Sequence, residues 1–176
     1  MQQIERVAIK KWTELDLRGL DLEELPWQIF RCRRLTHLLL SDNQITSIPE
    51  TLGQLSNLTE LNLNHNQITS IPNEIGQLSK LTELYLRRNQ IIEIPEALGQ
   101  LSNLTKLDLW HNQIISIPEA LGLLSNLTRL SLERNQITSI PEAIRDMEKL
   151  QVLELQENPI SVVIKFQQLY CFGCKF

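Results

Sequence analysis

Cysteine is scarce in this chain of 176 residues, which contains only Cys32, Cys171 and Cys174. Three cysteines are too few for the disulfide framework of a small secreted domain, so they favour a reducing compartment and predict a cytoplasmic location. Cys171 and Cys174 form a single C-x-x-C, whereas a four-ligand zinc site needs a second pair of ligands. A metal or redox role for this pair is therefore the less favoured alternative.

Three further shortages each exclude a class of function. No stretch reaches the roughly 18 consecutive apolar residues of a membrane span, and the first residues lack the apolar core of a secretory signal. The net charge of −4 argues against nucleic-acid binding, which usually needs a basic excess. The pattern G-x-x-x-x-G-K-[ST] is also absent, so we expect no GTPase module in this chain.

No set of side chains predicts catalysis or metal binding. The three histidines, His37, His65 and His111, all fall in or next to predicted strands. His65 and His111 lie two repeats apart, which at a strand spacing of about 4.8 Å separates them by roughly 9–10 Å. Because that distance is too long for joint metal ligation, we predict a protein with no enzymatic activity, metal or cofactor.

A period of 23 residues organises most of the chain. The heptapeptides SDNQITS, NHNQITS, RRNQIIE, WHNQIIS and ERNQITS begin at residues 41, 64, 87, 110 and 133. A fixed period of this length indicates stacked structural units that share one core. The seven repeats begin at Trp12, Leu35, Leu58, Leu81, Leu104, Leu127 and Leu150.

The unit is L-x-x-L-x-L-x-x-N-x-I-x-x-I-P-x-x-I/L-G-x-L, and over residues 12–160 it resembles the leucine-rich repeat family in its short bacterial form. The amino-acid sequence of the unit also resembles the repeat arms that are fused to Roco GTPases in cyanobacteria and other bacteria. The expected fold is an α/β solenoid, a horseshoe of about seven 23-residue repeats. Short parallel strands are expected on its concave face and irregular or 3-10 return segments on its convex face.

The chemistry of one repeat explains this expectation. L-x-L has a period of two, which predicts a short strand with both leucines on one side. The apolar spacing from Ile68 to Leu78 matches neither a long helix nor a second strand, so it predicts a tight return segment. Cys32 occupies a leucine position and is expected to be a small core residue. The repeated glycines, such as Gly76, are expected to permit a bend.

An asparagine follows each predicted strand from the second repeat onward. Its amide both donates and accepts, so it is expected to satisfy backbone groups of its own turn and of the adjacent turn. Leu20 takes the same place in the first repeat, as expected of an atypical terminal unit. The predicted asparagine ladder consists of Asn43, Asn66, Asn89, Asn112, Asn135 and Asn158.

The two ends depart from the period. Residues 1–11 are predicted to form an N-terminal cap that covers the first strand, since solenoids need capping units. In residues 161–176 the pattern is lost, because Gln167 occupies a core position. This apolar segment is expected to form an irregular C-terminal cap or tail. The alternatives are a surface that pairs two molecules into a homodimer and the stub of a longer protein.

The outward positions of the strands vary between repeats, whereas the core positions do not. Repeats four to six place aromatic and basic residues there, with five cations against three anions. Trp110 is either part of a partner-binding surface or a lid stacked between neighbouring side chains, with Arg87 beside it. The predicted partner-binding residues are Tyr85, Arg87, Arg88, Lys106, Asp108, Trp110, His111, Arg129, Glu133 and Arg134.

The sequence thus predicts a non-enzymatic module that binds a protein partner on its concave sheet. One alternative is the regulatory arm of a Roco-type GTPase, and another is a scaffold that self-associates through the apolar tail.

Overall fold

The computed structural model describes residues 13–160 of the chain. Seven three-residue strands pair in parallel and in sequence order to form one sheet. The strands are β1 (Glu14–Asp16), β2 (His37–Leu39), β3 (Glu60–Asn62), β4 (Glu83–Tyr85), β5 (Lys106–Asp108), β6 (Arg129–Ser131) and β7 (Val152–Glu154). Each pairing joins residues that are 23 apart, as in Leu84 with Leu107. The sheet therefore confirms the predicted solenoid.

The return segments are single helical turns. Five of them are 3-10 helices: Trp27–Arg31, Glu50–Gln54, Asn73–Gln77, Glu96–Gln100 and Glu119–Leu123. The sixth is a short α-helix, α1 (Glu142–Arg145). A proline precedes each turn and starts it, because the proline carbonyl accepts the first hydrogen bond, as from the Leu52 N–H to Pro49 at 2.9 Å. The prediction of 3-10 return segments is confirmed.

One continuous apolar core lies between the sheet and the return segments. The central leucine of each strand faces inward, and Leu38, Leu61, Leu84 and Leu130 are fully buried. Cys32 is buried as a free thiol at its leucine position, and this burial raises its pKa. The core is built by stacking, since every repeat covers the apolar side of its neighbours.

The repeated glycines do not serve the bend that the sequence suggested. Gly76 has an ordinary negative φ, and Gly19 alone among the described glycines has a positive one. A Cβ added at Gly53 would lie 2.6 Å from the Glu74 carbonyl oxygen, and one at Gly76 would lie 2.6 Å from that of Ala97. The expectation was wrong because these glycines allow consecutive return turns to approach closely, which side chains would prevent.

The six asparagines that follow the strands are all buried, at 6–8 % exposure. Asn89 is representative: its Nδ2 donates to the carbonyls of Leu63 and Leu86, each at 3.0 Å, and its Oδ1 accepts from the Ile68 N–H at 3.0 Å. Each asparagine thus joins its own turn to the preceding repeat. The exposed Leu20 donates its backbone N–H to Asn43, so the atypical first repeat still receives this contact.

Two other side-chain ladders were not foreseen. Thr82 donates its hydroxyl to the Thr59 carbonyl at 2.9 Å, and the same bond recurs along the sheet, as between Thr105 and Thr82. Asn57 and Asn103 donate across repeats to the carbonyls of Arg33 and Ser79. The signal was present in the sequence, since the threonines recur every 23 residues, but the position of a hydroxyl in the repeat does not reveal its acceptor.

Several predictions lie outside residues 13–160. They concern the caps at residues 1–11 and 161–176, the position of Trp12, the irregular register at Gln167 and the C-x-x-C of Cys171 and Cys174.

Candidate functional site

The sheet face is the side of the sheet opposite the core, together with the turn residues that follow each strand. Parallel register brings matching positions of neighbouring repeats side by side, as shown by the pairing of Tyr85 with Asp108 and of Asp108 with Ser131. Arg87, Trp110 and Glu133 each lie two residues beyond one of these positions and form the next row. The ten predicted partner-binding residues therefore lie on β4, β5, β6 and the turns that follow them.

The last residue of the outward set adopts a left-handed backbone conformation in every repeat. Arg88, His111 and Arg134 have φ values of 51°, 57° and 54°. Gly19 occupies the same position in the first repeat at 63°, and it was the sequence signal for this turn. Side chains at this position leave from the turn beyond the strand and lie at the margin of the sheet face.

Trp110, which the sequence placed at an outward position, is half-buried rather than fully exposed. The guanidinium carbons of Arg87, Arg88 and Arg134 lie 4.6, 4.9 and 5.5 Å from the centre of its ring system. The ring of His111 is 5.2 Å away and tilted by 41°. The indole is thus surrounded by cationic and aromatic groups of three consecutive repeats. A guanidinium stacked on an exposed indole contributes about 0.5–1 kcal/mol.

Anions of the neighbouring repeats cancel the predicted cationic excess. Lys106 binds Glu83 at 2.9 Å, and Arg129 binds Glu154 at 2.7 Å. Arg134 binds Glu157 at 2.9 Å. Because Glu154 and Glu157 belong to the seventh repeat, counting repeats four to six alone missed two anions. The five cations of this region therefore face five anions.

Tyr85 is held by the carboxylate of Glu83. Its hydroxyl donates to Glu83 Oε2, and the Lys106 ammonium donates to Oε1 of the same carboxylate. Burial and this hydrogen bond raise the pKa of Tyr85 above its ordinary value. For Glu83, burial acts upward, but the two donors outweigh it and leave the pKa lowered. Tyr85 is thus a fixed hydroxyl donor rather than a group that titrates near neutrality.

A polar pocket of about 230 Å³ opens beside Trp110. It is lined by Arg87, Asp108, Trp110, Arg129, Ser131, Glu133 and Glu154. Burial raises the pKa of Asp108, while the hydrogen bond from the backbone N–H of Trp110 and the positive charge of Arg87 act to lower it. Burial also raises the pKa of Glu133, and the charges of Glu154 and Asp108 add to this effect. The predicted site did not include Glu154, because only strand pairing brings the seventh repeat to this pocket. It also did not include Ser131 of the sixth repeat, whose hydroxyl donates to Glu154.

The remaining predicted chemistry concerns metals and membranes. No group of three or more His, Cys, Asp or Glu residues within residues 13–160 is placed to hold a metal ion. None of the helices in that range is long and apolar enough to cross a membrane.

Comparisons with known proteins agree with this architecture. A family model described as leucine-rich repeat matches residues 11–68, 33–91, 56–114 and 102–160. A leucine-rich repeat protein of Leptospira interrogans is 29 % identical, with a TM-score of 0.81 over 98 % of this chain and 50 % of its own. No curated protein sequence matches significantly.

A second solved structure is the leucine-rich repeat ectodomain of a membrane receptor kinase from Arabidopsis thaliana, in complex with Casparian strip integrity factor 2. It is 37 % identical, with a TM-score of 0.76 over 85 % of this chain and 19 % of its own. The chain thus spans half of the first structure's length and about a fifth of the second's. The narrower resemblance to Roco-type arms stays a prediction. The repeated unit, the parallel sheet and the four family matches show that the chain belongs to the leucine-rich repeat family.

Proposed function

We propose that this chain is a non-enzymatic protein-interaction module that binds its partner on the sheet face, at the surface around Trp110. The observation that carries the proposal is the convergence of Arg87, Arg88 and Arg134 on one half-buried indole beside a polar pocket. Tryptophan, tyrosine and arginine are the residue types most enriched at binding hot spots.

The variation between repeats supports the same surface. The stacking of the solenoid rests on the inward leucines, the asparagine ladder and the glycines, which each hold one chemical type through repeats two to five. The outward residues change freely from strand to strand, so they are available for recognition. The structural neighbour from Arabidopsis is a complex with another factor, which supports recognition as the use of this fold.

The contacts of Trp110 also agree with a purely structural role, in which the indole shields the sheet. The two roles differ in what the loss of the ring does. A shielding indole affects only the free energy of unfolding, whereas a hot spot affects the affinity for the partner as well. Truncation of Trp110 separates them.

The experiment is a calorimetric titration of a partner captured by the wild-type chain. Trp110→Ala is expected to weaken binding by about 2 kcal/mol or more, the range of hot-spot residues. Glu60→Ala is the control, because Glu60 lies on the same face two repeats away and should act mainly on the association rate. Thermal melts first establish that both variants fold. Unchanged affinity in a folded Trp110→Ala variant would refute the proposal.

Two further hypotheses keep their own tests. A cytoplasmic location would be checked by imaging the tagged protein in its native cell. Self-association through residues 161–176 would be checked by light scattering at two concentrations, with and without those residues; a monomer mass at both concentrations would exclude it.

A further inference from the structure

The pocket beside Trp110 contains one ion pair that is already complete. Arg129 donates to Glu154 Oε1 at 2.7 Å, and Ser131 donates to the other oxygen of the same carboxylate. Both oxygens of Glu154 are therefore occupied by groups of the chain itself. This leaves Arg87, Asp108 and Glu133 as the charged groups that determine what the pocket accepts.

Within residues 13–160, the carboxylates of Asp108 and Glu133 form no such ion pair. Asp108 accepts the backbone N–H of Trp110 at 3.1 Å through one oxygen, and its other oxygen accepts no hydrogen bond from the described part of the chain. Neither carboxylate has a basic nitrogen within 4.0 Å among residues 13–160. Half-buried carboxylates without a close cation are unfavourable, because desolvation penalises the charge. The more distant arginines, Arg87 and Arg129 for Asp108 and Arg129 and Arg134 for Glu133, offset this penalty only in part, since the pKa of both carboxyls stays raised.

Arg87 also lines the pocket and acts on Asp108 from a distance, but it forms no ion pair with either carboxylate within residues 13–160. Its guanidinium stacks on the indole of Trp110, and its Nε is buried without a hydrogen-bond partner in the described part of the chain. A buried donor without an acceptor normally costs free energy, so the hydrogen bonding of Arg87 is also incomplete. With Arg129 and Glu154 neutralising each other, the pocket keeps two carboxylates against one guanidinium.

The directions of the pKa shifts of the two carboxyls agree with an excess of negative charge in the pocket. Burial raises the pKa of both Asp108 and Glu133, and for Glu133 the surrounding negative charges add to the rise. A positive charge placed between them would favour their ionised forms and lower both pKa values. The site is thus more complementary to a cation than to a neutral or anionic group.

We infer that this pocket receives a lysine or arginine side chain of the protein partner, with its cationic group bound by Asp108 and Glu133. The inference rests on the proposed function, since it names the chemistry that the partner presents at the same face. Trp110 and the guanidinium of Arg87 form the wall along which the aliphatic part of that side chain lies. Partner selection would then depend on a basic residue at one position of the docked segment.

The test uses small probes, so it does not require the partner. Isotope-labelled full-length protein is titrated with Nα-acetyl-lysine methylamide, while the indole N–H resonance of Trp110 is followed by NMR. The matched probes are the norleucine compound, which has a similar chain without charge, and the glutamate compound, which has the opposite charge. The variants are Asp108→Asn and Glu133→Gln, with Glu60→Gln as the control outside the pocket.

We expect a saturable shift with the lysine probe and binding at least about tenfold weaker with the norleucine probe, equivalent to about 1.4 kcal/mol. Glu133→Gln and Asp108→Asn should each weaken lysine binding severalfold, whereas Glu60→Gln should leave it unchanged. Lowering the pH through the pKa values of the two carboxyls should also weaken binding, because protonation removes the charge that attracts the ammonium.

Equal binding of the norleucine and lysine probes would overturn the inference, as would unchanged lysine binding in both pocket variants. Preferential binding of the glutamate probe would overturn it too, and would show that Arg87 determines the charge preference. Each of these results is independent of whether Trp110→Ala weakens a protein partner. The inference therefore fails separately from the proposed function.

Discussion

Removal of one ladder asparagine tests how the repeats are held together. In Asn89→Ala, the Ile68 N–H loses its acceptor at 3.0 Å, and the carbonyls of Leu63 and Leu86 each lose a donor at 3.0 Å. Methyl replaces an amide whose residue is only 7 % exposed, so water does not readily replace these bonds. A buried backbone group left unpaired costs about 1–3 kcal/mol, and with three groups affected we expect a loss near 3 kcal/mol.

Urea denaturation followed by circular dichroism measures this loss, with Gln90→Ala as the matched control. Gln90 is the next residue, and its side chain is exposed. Its backbone N–H bond to the Ile68 carbonyl survives the substitution. The midpoint of Asn89→Ala should fall at an unchanged slope, because the surface exposed on unfolding is the same. Equal midpoints for the two variants would refute the view that the ladder contributes to stability.

Three other substitutions test separate features. Gly76→Ala should lower the free energy of unfolding by about 1–3 kcal/mol, because the added Cβ would overpack against the Ala97 carbonyl. Gln77→Ala is the control, and equal melting temperatures of the two variants would contradict this prediction. The raised pKa of Asp108 means that the folded state binds its proton more tightly, so its charge costs stability as the pH rises above about 4. Asp108→Asn should therefore gain stability over the wild type between acidic and neutral pH in melts, and a pH-independent difference would exclude this. Trp110→Ala should lower stability by about 1–2 kcal/mol through its guanidinium contacts, and failure to fold would mean that the ring is a core element.

The period of the sequence was sufficient to predict the core and the register. A spacing of 23 residues places Leu84 beside Leu107 with no tertiary information, because stacked units can only align equivalent positions. The location of Asn89 in a turn between two strands likewise followed from its place in the unit. Such features depend on one repeat and its copy, and both are visible in the sequence.

The reason why glycine recurs at the position of Gly76 could not be read from the sequence in the same way. Glycine permits both unusual backbone angles and close approach, and the sequence does not distinguish them. Only the distance from Gly76 to the carbonyl of Ala97 in the next return turn decides between them. The same holds for the threonine hydroxyls, whose acceptors are backbone atoms of another repeat.

The charge of the candidate site was decided by tertiary structure alone. The sequence placed Trp110 and its basic neighbours on one face, because the alternation of side chains along a strand and the 23-residue period are both visible in the local sequence. Glu154 reaches Arg129 from the seventh strand, and this pairing leaves Asp108 and Glu133 without an ion-pair partner among residues 13–160. Side-chain reach across repeats determines which charges pair, and it depends on rotamers and burial that no periodic pattern encodes. The sequence by itself thus determined the fold and the position of the surface, whereas the packed structure determined its electrostatic character.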